Sequence, residues 1–255
     1  LGRAAFCRAT IRPIPLVDLA AYAFILLKDA ALDILFSQIP AAWLWMLWFA
    51  SLGLLAFIAR AAFWRMLADP ANLNVFLGAS VAVLGFWLMK AGIRPGLNFH
   101  LIGATLLTLM FRPLFAMLAI ALITASLGIM YGQIAAFSIN WLLLGAVPVA
   151  VTWGIYTVAH RWLPRHLFVY LFLNAFIAAG ISMTVVGAAS ASFHYGAGQY
   201  EGEYLLREYL PFYLLMAWSE AFITGMLATV LVVWKPEWVA TFSDSQYLSP
   251  ARQGD

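Results

Sequence analysis

Charge is scarce in this chain: 10% of its 255 residues are Asp, Glu, Lys or Arg, while 65% are apolar. Soluble domains carry roughly 25% charged and 45–50% apolar residues, so a water-facing globular surface is excluded. The 14 basic and 11 acidic residues leave a net charge of +3. The basic ones stand singly, with no run or stripe, which argues against a nucleic-acid partner. Cysteine is nearly missing, and Cys7 alone excludes an internal disulfide or a Cys-only metal cluster within the chain. Also missing are a glycine-rich phosphate loop followed by Lys and Ser or Thr, a His-Glu-x-x-His and a Gly-x-Ser-x-Gly. No nucleophile and base stand at a recognisable spacing, so the chain reads as a non-enzyme with no covalent cofactor. Any energy from ATP comes through a partner.

What the sequence does have is long apolar stretches with charges gathered between them, the pattern of membrane spans and loops. The fold class is an all-α integral membrane protein of about seven transmembrane helices, over 41–59, 74–90, 98–111, 113–130, 135–159, 167–192 and 209–234. The pair 98–111 and 113–130 is separated at Arg112-Pro113, where a charge meets a helix breaker. The first of the two is short for roughly 30 Å of hydrocarbon, which makes it a broken or short third span. Cytoplasmic loops are enriched in Lys and Arg. With the N-terminus out and the C-terminus in, Arg60, Arg65, Arg112, Arg161, Arg165 and Lys235 fall inside. Glu201, Glu203 and Glu208 fall outside, while Lys90, Arg94 and Arg207 run against the rule. Trp43, Trp45, Trp48, Trp64, Trp162, Trp234 and Trp238, near span ends, read as an aromatic belt in the lipid bilayer.

Three regions follow: an N-terminal extension over 1–39, a polytopic domain over 40–236, and a polar cytoplasmic tail over 237–255. In the extension Asp18, Tyr22, Asp29 and Asp33 share one side of a helix, as in an amphipathic interfacial helix. Arg3, Arg8 and Arg12 before an apolar stretch, with Ala21-Tyr22-Ala23 as a cleavage site, give a leader as the alternative.

Few side chains can carry chemistry. Glu220 is the one acid inside a span, where a carboxylate must face a cavity, a partner or an ion. Ala217, Thr224 and Ala228 share its face, so it either ties helices together or meets a transported ion. His100 opens a span, with Gly103 and Ala104 leaving room beside its ring. Imidazole ligates Ni, Co, Cu or Zn, and the alternative is a hydrogen-bonded helix-start histidine. His194 falls in a loop near Glu201 and Glu203, where it reads as solvated or as a weaker metal ligand. His160 and His166 flank Arg161 and Arg165, as at a membrane surface. Asn140 and Asn174, near or within spans, are candidates for interhelical hydrogen bonds.

The element His100-Leu101-Ile102-Gly103, the pair Ile139-Asn140, the Arg112-Pro113 break, Glu220 and the closing Lys235-Pro236-Glu237 together resemble the substrate-capture subunits of cobalt and nickel energy-coupling-factor transporters, the CbiM and NikM type. The likeness runs over residues 73 to 238. It implies a seven-span ABC-transporter permease of the inner membrane that captures a divalent metal, Co or Ni, as substrate and works with a transmembrane coupling subunit and ATPases. It also implies that His100 is a ligand. In that family an N-terminal Met-His pair completes a planar nitrogen set with the span histidine. This sequence opens Leu1-Gly2, and no histidine precedes His100. The alternative is a non-transporting structural or assembly subunit that keeps the fold without the metal site.

Overall fold

The computed structural model describes residues 32–247. Six helices among them are long and apolar enough to cross a membrane: α1 (Ala41–Ala61), α2 (Pro70–Leu88), α3 (Ala104–Met130), α4 (Ile134–Trp162), α5 (Leu167–Gly196) and α6 (Gly202–Trp234). The chain is therefore a helical multi-pass membrane protein, with one small departure. Between α2 and α3 two antiparallel strands, β1 (Ala91–Arg94) and β2 (Leu97–Phe99), form a hairpin. Residues 98 and 99, expected at the start of a span, belong to β2. Gly96 turns the hairpin with φ 79°, and a Cβ there would collide with the Gln38 side chain.

Local chemistry sets the helix starts. Asp69 caps α2 by accepting from the Ala71 N–H at 3.2 Å, with Pro70 in the first position, which lacks the N–H that the helix cannot use there. His166 caps α5 through Nδ1, which accepts from the Phe168 N–H at 3.1 Å. Three π-helical stretches interrupt the helices, Leu142–Ala146 in α4, Tyr170–Ile177 in α5 and Leu205–Tyr209 in α6. The central helix is α3, whose buried face includes Leu107, Phe115, Ala119, Ile123 and Leu127, whereas α1 turns Trp45, Met46 and Phe49 outward. Apolar side chains on the outer surface are what a lipid solvent requires.

Six qualifying helices is one fewer than the seven expected, because 104–130 counts as one element. Arg112 alone interrupts it, with φ 63° and ψ 168° immediately before Pro113. Beyond α6 the chain does not run free. Ala240 and Thr241 donate their N–H groups to the Met110 and Leu109 carbonyls at 3.0 and 3.2 Å. These are carbonyls left over where the first half of α3 ends. Val239, Thr241, Phe242 and Tyr247 are buried, while Glu237, Trp238, Ala240, Asp244, Ser245 and Gln246 are exposed, so one side of the described tail packs on the bundle and the polar side does not. Apolar side chains at 239, 242 and 247 with Tyr170 as a partner are the reason.

Residues 32–39 enter the bundle at the hairpin end. Leu32, Asp33, Ile34 and Gln38 are all buried. Asp33, grouped by sequence with a water-facing helical side, is neither helical nor exposed here. Cys7, Asp18, Tyr22, Asp29 and the Ala21-Tyr22-Ala23 stretch lie outside the described residues.

Candidate functional site

Beneath the hairpin, His100 sits between β2 and α3, 4% exposed. Its ring leans on Trp87 with 4.7 Å between centroids. Nδ1 is 3.0 Å from the Leu101 carbonyl, and Nε2 is 3.2 Å from Oδ2 of Asp33. A carbonyl only accepts, so Nδ1 carries a hydrogen, and both ring nitrogens are engaged.

Asp33 is the partner that sequence reasoning missed. Its signal was faint: a single acid among Leu32, Ile34 and Leu35, an apolar setting that a solvated face would not need. Burial pushes its carboxyl upward, but the charge and hydrogen bond of His100, with Lys90 and His194 adding, outweigh this and leave it below the ordinary 3.8. Half-buried Lys90 is lowered from 10.5 by burial, against the pull of Asp33.

Two asparagines hold Asp33 in place through its neighbours. Asn140 Oδ1 accepts from the Ile34 N–H at 3.0 Å, and its Nδ2 donates to the Ile34 carbonyl at 2.8 Å and to that of Ala136 at 2.9 Å. Asn98 Nδ2 donates to the Leu32 carbonyl at 3.0 Å. Asn140 thus clamps the entering segment as a strand would, with every polar atom of its amide engaged.

His194 is not in a loop. Helix α5 runs to Gly196 and buries it completely, with Nε2 3.1 Å from the Gly96 carbonyl at the hairpin turn. That contact places the hydrogen on Nε2, and Nδ1 has no partner. Glu203 faces Arg207 instead, in an exposed ion pair at 3.0 Å, so the expected cluster of His194 with the loop acids does not form. The physical reason is the extra helical turn past residue 192, which carries the imidazole under the hairpin.

Glu220 is buried on α6, on the face that also buries Ala217, Thr224 and Ala228. Its two oxygens accept from the Ile102 and Gly103 N–H groups at 2.9 and 2.7 Å. The carboxylate therefore caps the start of α3, where free N–H groups and the helix dipole favour negative charge. Gly103 makes this approach possible. Its φ is 70°, and a Cβ would lie 2.9 Å from Val83, a conformation that L side chains rarely take. The space around Glu220 leaves no room for a water. Two residues beyond Gly103, Thr105 bridges Thr152 at 2.8 Å and Ser182 at 3.0 Å, joining α3 to α4 and α5.

Asn174 lies apart. It is buried in the π-helical stretch of α5, its Oδ1 unpartnered, beside His160, Arg165 and Tyr247 near the chain's far end. The structure thus brings together His100, Asp33 and, close by, His194. Glu220 sits behind the same loop, and Asn140 acts from the side. Among the described residues, no three His, Cys, Asp or Glu side chains converge as a metal-holding group.

The family model described as the CbiM cobalt uptake substrate-specific transmembrane region matches residues 37–238. A crystal structure described as a truncated transition metal transporter superposes with a TM-score of 0.67 at 18% identity, covering 78% of this chain and 98% of that one. At that identity the likeness is one of fold. No curated protein matches the sequence.

Proposed function

The chain belongs to the CbiM family of cobalt-uptake substrate-specific transmembrane regions, a family of metal-uptake membrane subunits, and from that premise we propose that it captures a divalent transition metal of the cobalt or nickel class for uptake, with His100 as ligand. The observation that carries this proposal is the match over 37–238 with a buried imidazole, His100, at its loop-to-helix junction. The subunit catalyses no covalent step. It works in the inner membrane with a transmembrane coupling subunit and ATPases, since the sequence has no nucleotide-binding loop of its own.

The proposed topology has seven crossings, with the N-terminal side outside and the C-terminal side inside. Chain length supports it. A straight helix of 27 residues would be about 40 Å long at 1.5 Å per residue. Yet Asn98, just before α3, bonds Leu32, and Gln133, just after it, accepts from the Phe36 N–H. Residues 32 to 36 reach at most roughly 18 Å when fully extended. Folding back at Arg112 reconciles the two, making 104–111 a short inward pass and 113–130 the return. The hairpin, His100 and His194 then share the outer side, from which a metal would be captured.

One observation favours a second reading, a structural subunit that has lost the site: both nitrogens of His100 are already engaged within the protein. Metal binding by the purified full chain separates the two, with nickel and cobalt tested on the wild type and on His100→Ala. The capture role expects binding that the variant abolishes. Equal binding in both removes His100 from the mechanism, and no binding by either leaves the structural role. Coupling-factor ATPases co-purifying from native membranes would support uptake, and a respiratory complex would support the alternative.

A further inference from the structure

We propose that the groove at the Arg112-Pro113 break binds an anionic phospholipid, whose phosphate pairs with the Arg112 guanidinium while an acyl chain lies along the apolar wall. The groove has a volume of about 630 Å³ and is bounded by the end of α1, the break in α3, Trp153 of α4 and Ala240. That volume falls within the roughly 300–1,000 Å³ of small-molecule sites. Buried Phe111 and Phe115 line it, each packed edge-on against Phe76 of α2, at 5.3 and 6.2 Å between centroids. Exposed Phe63 and half-buried Met66 and Trp153 add to the apolar wall.

Arg112 selects the occupant. At φ 63° and ψ 168° it holds a backbone conformation that belongs almost only to glycine and strains any other residue. The backbone alone therefore favours glycine at 112, and the arginine is accounted for by its side chain. That side chain is exposed and, among the described residues, pairs with no carboxylate. None of the residues lining the groove is acidic. Arg60, in the last turn of α1, and Arg65, between the wall residues Phe63 and Met66, are likewise exposed and pair with no carboxylate among the described residues. Asp69, the acid of the same connection, is committed to capping α2. Pro113 opens the second half of α3, so the positive end of that helix meets the groove as well.

A ligand that satisfies this groove carries negative charge at one end and hydrocarbon at the other. A free anion would leave the aromatic wall uncovered. A neutral lipid would leave the guanidinium without a partner, and the cationic end of a zwitterionic one would meet a face that Arg60 and Arg65 make positive. An anionic phospholipid answers both demands, because guanidinium matches phosphate oxygens as a two-pronged fork. In the topology proposed above the groove lies on the inner side, where anionic headgroups draw basic residues. Binding here does not depend on metal capture.

The test is native mass spectrometry of the purified full chain in detergent, offered equal amounts of phosphatidylglycerol and phosphatidylcholine. Wild type should retain phosphatidylglycerol at least about fivefold more, the factor expected of one arginine at a membrane surface. Arg112→Gly, which suits the backbone, should bring the ratio close to one. Arg112→Lys should keep part of the preference, since it keeps the charge and loses the fork. Arg94→Gln, on the hairpin at the other end of the bundle, should leave the ratio at the wild-type value. An undiminished preference in Arg112→Gly overturns the proposal, and if that variant also loses a co-purifying coupling subunit, the groove belongs to a protein partner. Inorganic phosphate that displaces phosphatidylglycerol at millimolar concentration overturns the lipid assignment in favour of a free anion. Should Arg112→Gly fail to fold, the wild type decides alone: equal retention of the two lipids overturns the proposal.

Discussion

Replacing Glu220 by alanine removes the acceptor for two N–H groups at the start of α3, those of Ile102 and Gly103, held at 2.9 and 2.7 Å. Beside the intact side chain there is no room for a water, whereas the truncation itself vacates enough space for one, which serves part of the pair. Each buried N–H left without an acceptor costs about 1–3 kcal/mol, so with one or both orphaned Glu220→Ala should lose roughly 1–6 kcal/mol of stability. Glu220→Gln separates capping from mere bulk. Its amide oxygen can serve one N–H, while its NH₂ faces the other as donor against donor, so roughly half that loss is expected. Denaturant unfolding in detergent, followed through the 11 tryptophans, measures both. A Glu220→Ala protein within about 1 kcal/mol of wild type would refute the capping role. So would a glutamine variant less stable than the alanine one.

Two further outcomes follow from backbone geometry. Arg112→Gly should gain about 1 kcal/mol, because an exposed residue at φ 63° and ψ 168° is strained by roughly 1–3 kcal/mol, partly offset by glycine's greater freedom when unfolded. A loss of stability in the same unfolding assay would show that the guanidinium, and not the backbone, matters there. Asn140→Ala should release residues 32–36 by removing both bonds to Ile34. Limited proteolysis should then cut that stretch faster, and an unchanged digestion pattern would count against the clamp.

The helical membrane class was legible from the residues alone, since the cost of exposing apolar side chains to water is local and accumulates along each stretch. Most span positions followed to within a few residues, but Glu203 and Glu208 join Glu220 in α6, and the expected bonds between helices are absent at Asn140, which meets Ile34 and Ala136, and at the Asn174 Oδ1, which has no partner. The break at Arg112-Pro113 was also visible, because proline chemistry acts on its immediate neighbours. The hairpin was not, being a short irregular pairing held by Gln38, His194 and Tyr200 from elsewhere in the chain.

Tertiary structure alone decided what the polar side chains meet. Glu220 finds its N–H partners 118 and 117 positions away, and Asn140 finds Ile34 at 106, separations that no periodicity can encode. His194 changed from a loop residue to a buried one through a single extra helical turn. Asp33, read as one polar residue on a helical side, became the partner of His100 when the bundle closed over it. Hydrophobicity determined where the chain lies. The juxtaposition of acids, imidazoles and free N–H groups, fixed only by packing, determined what the site can hold.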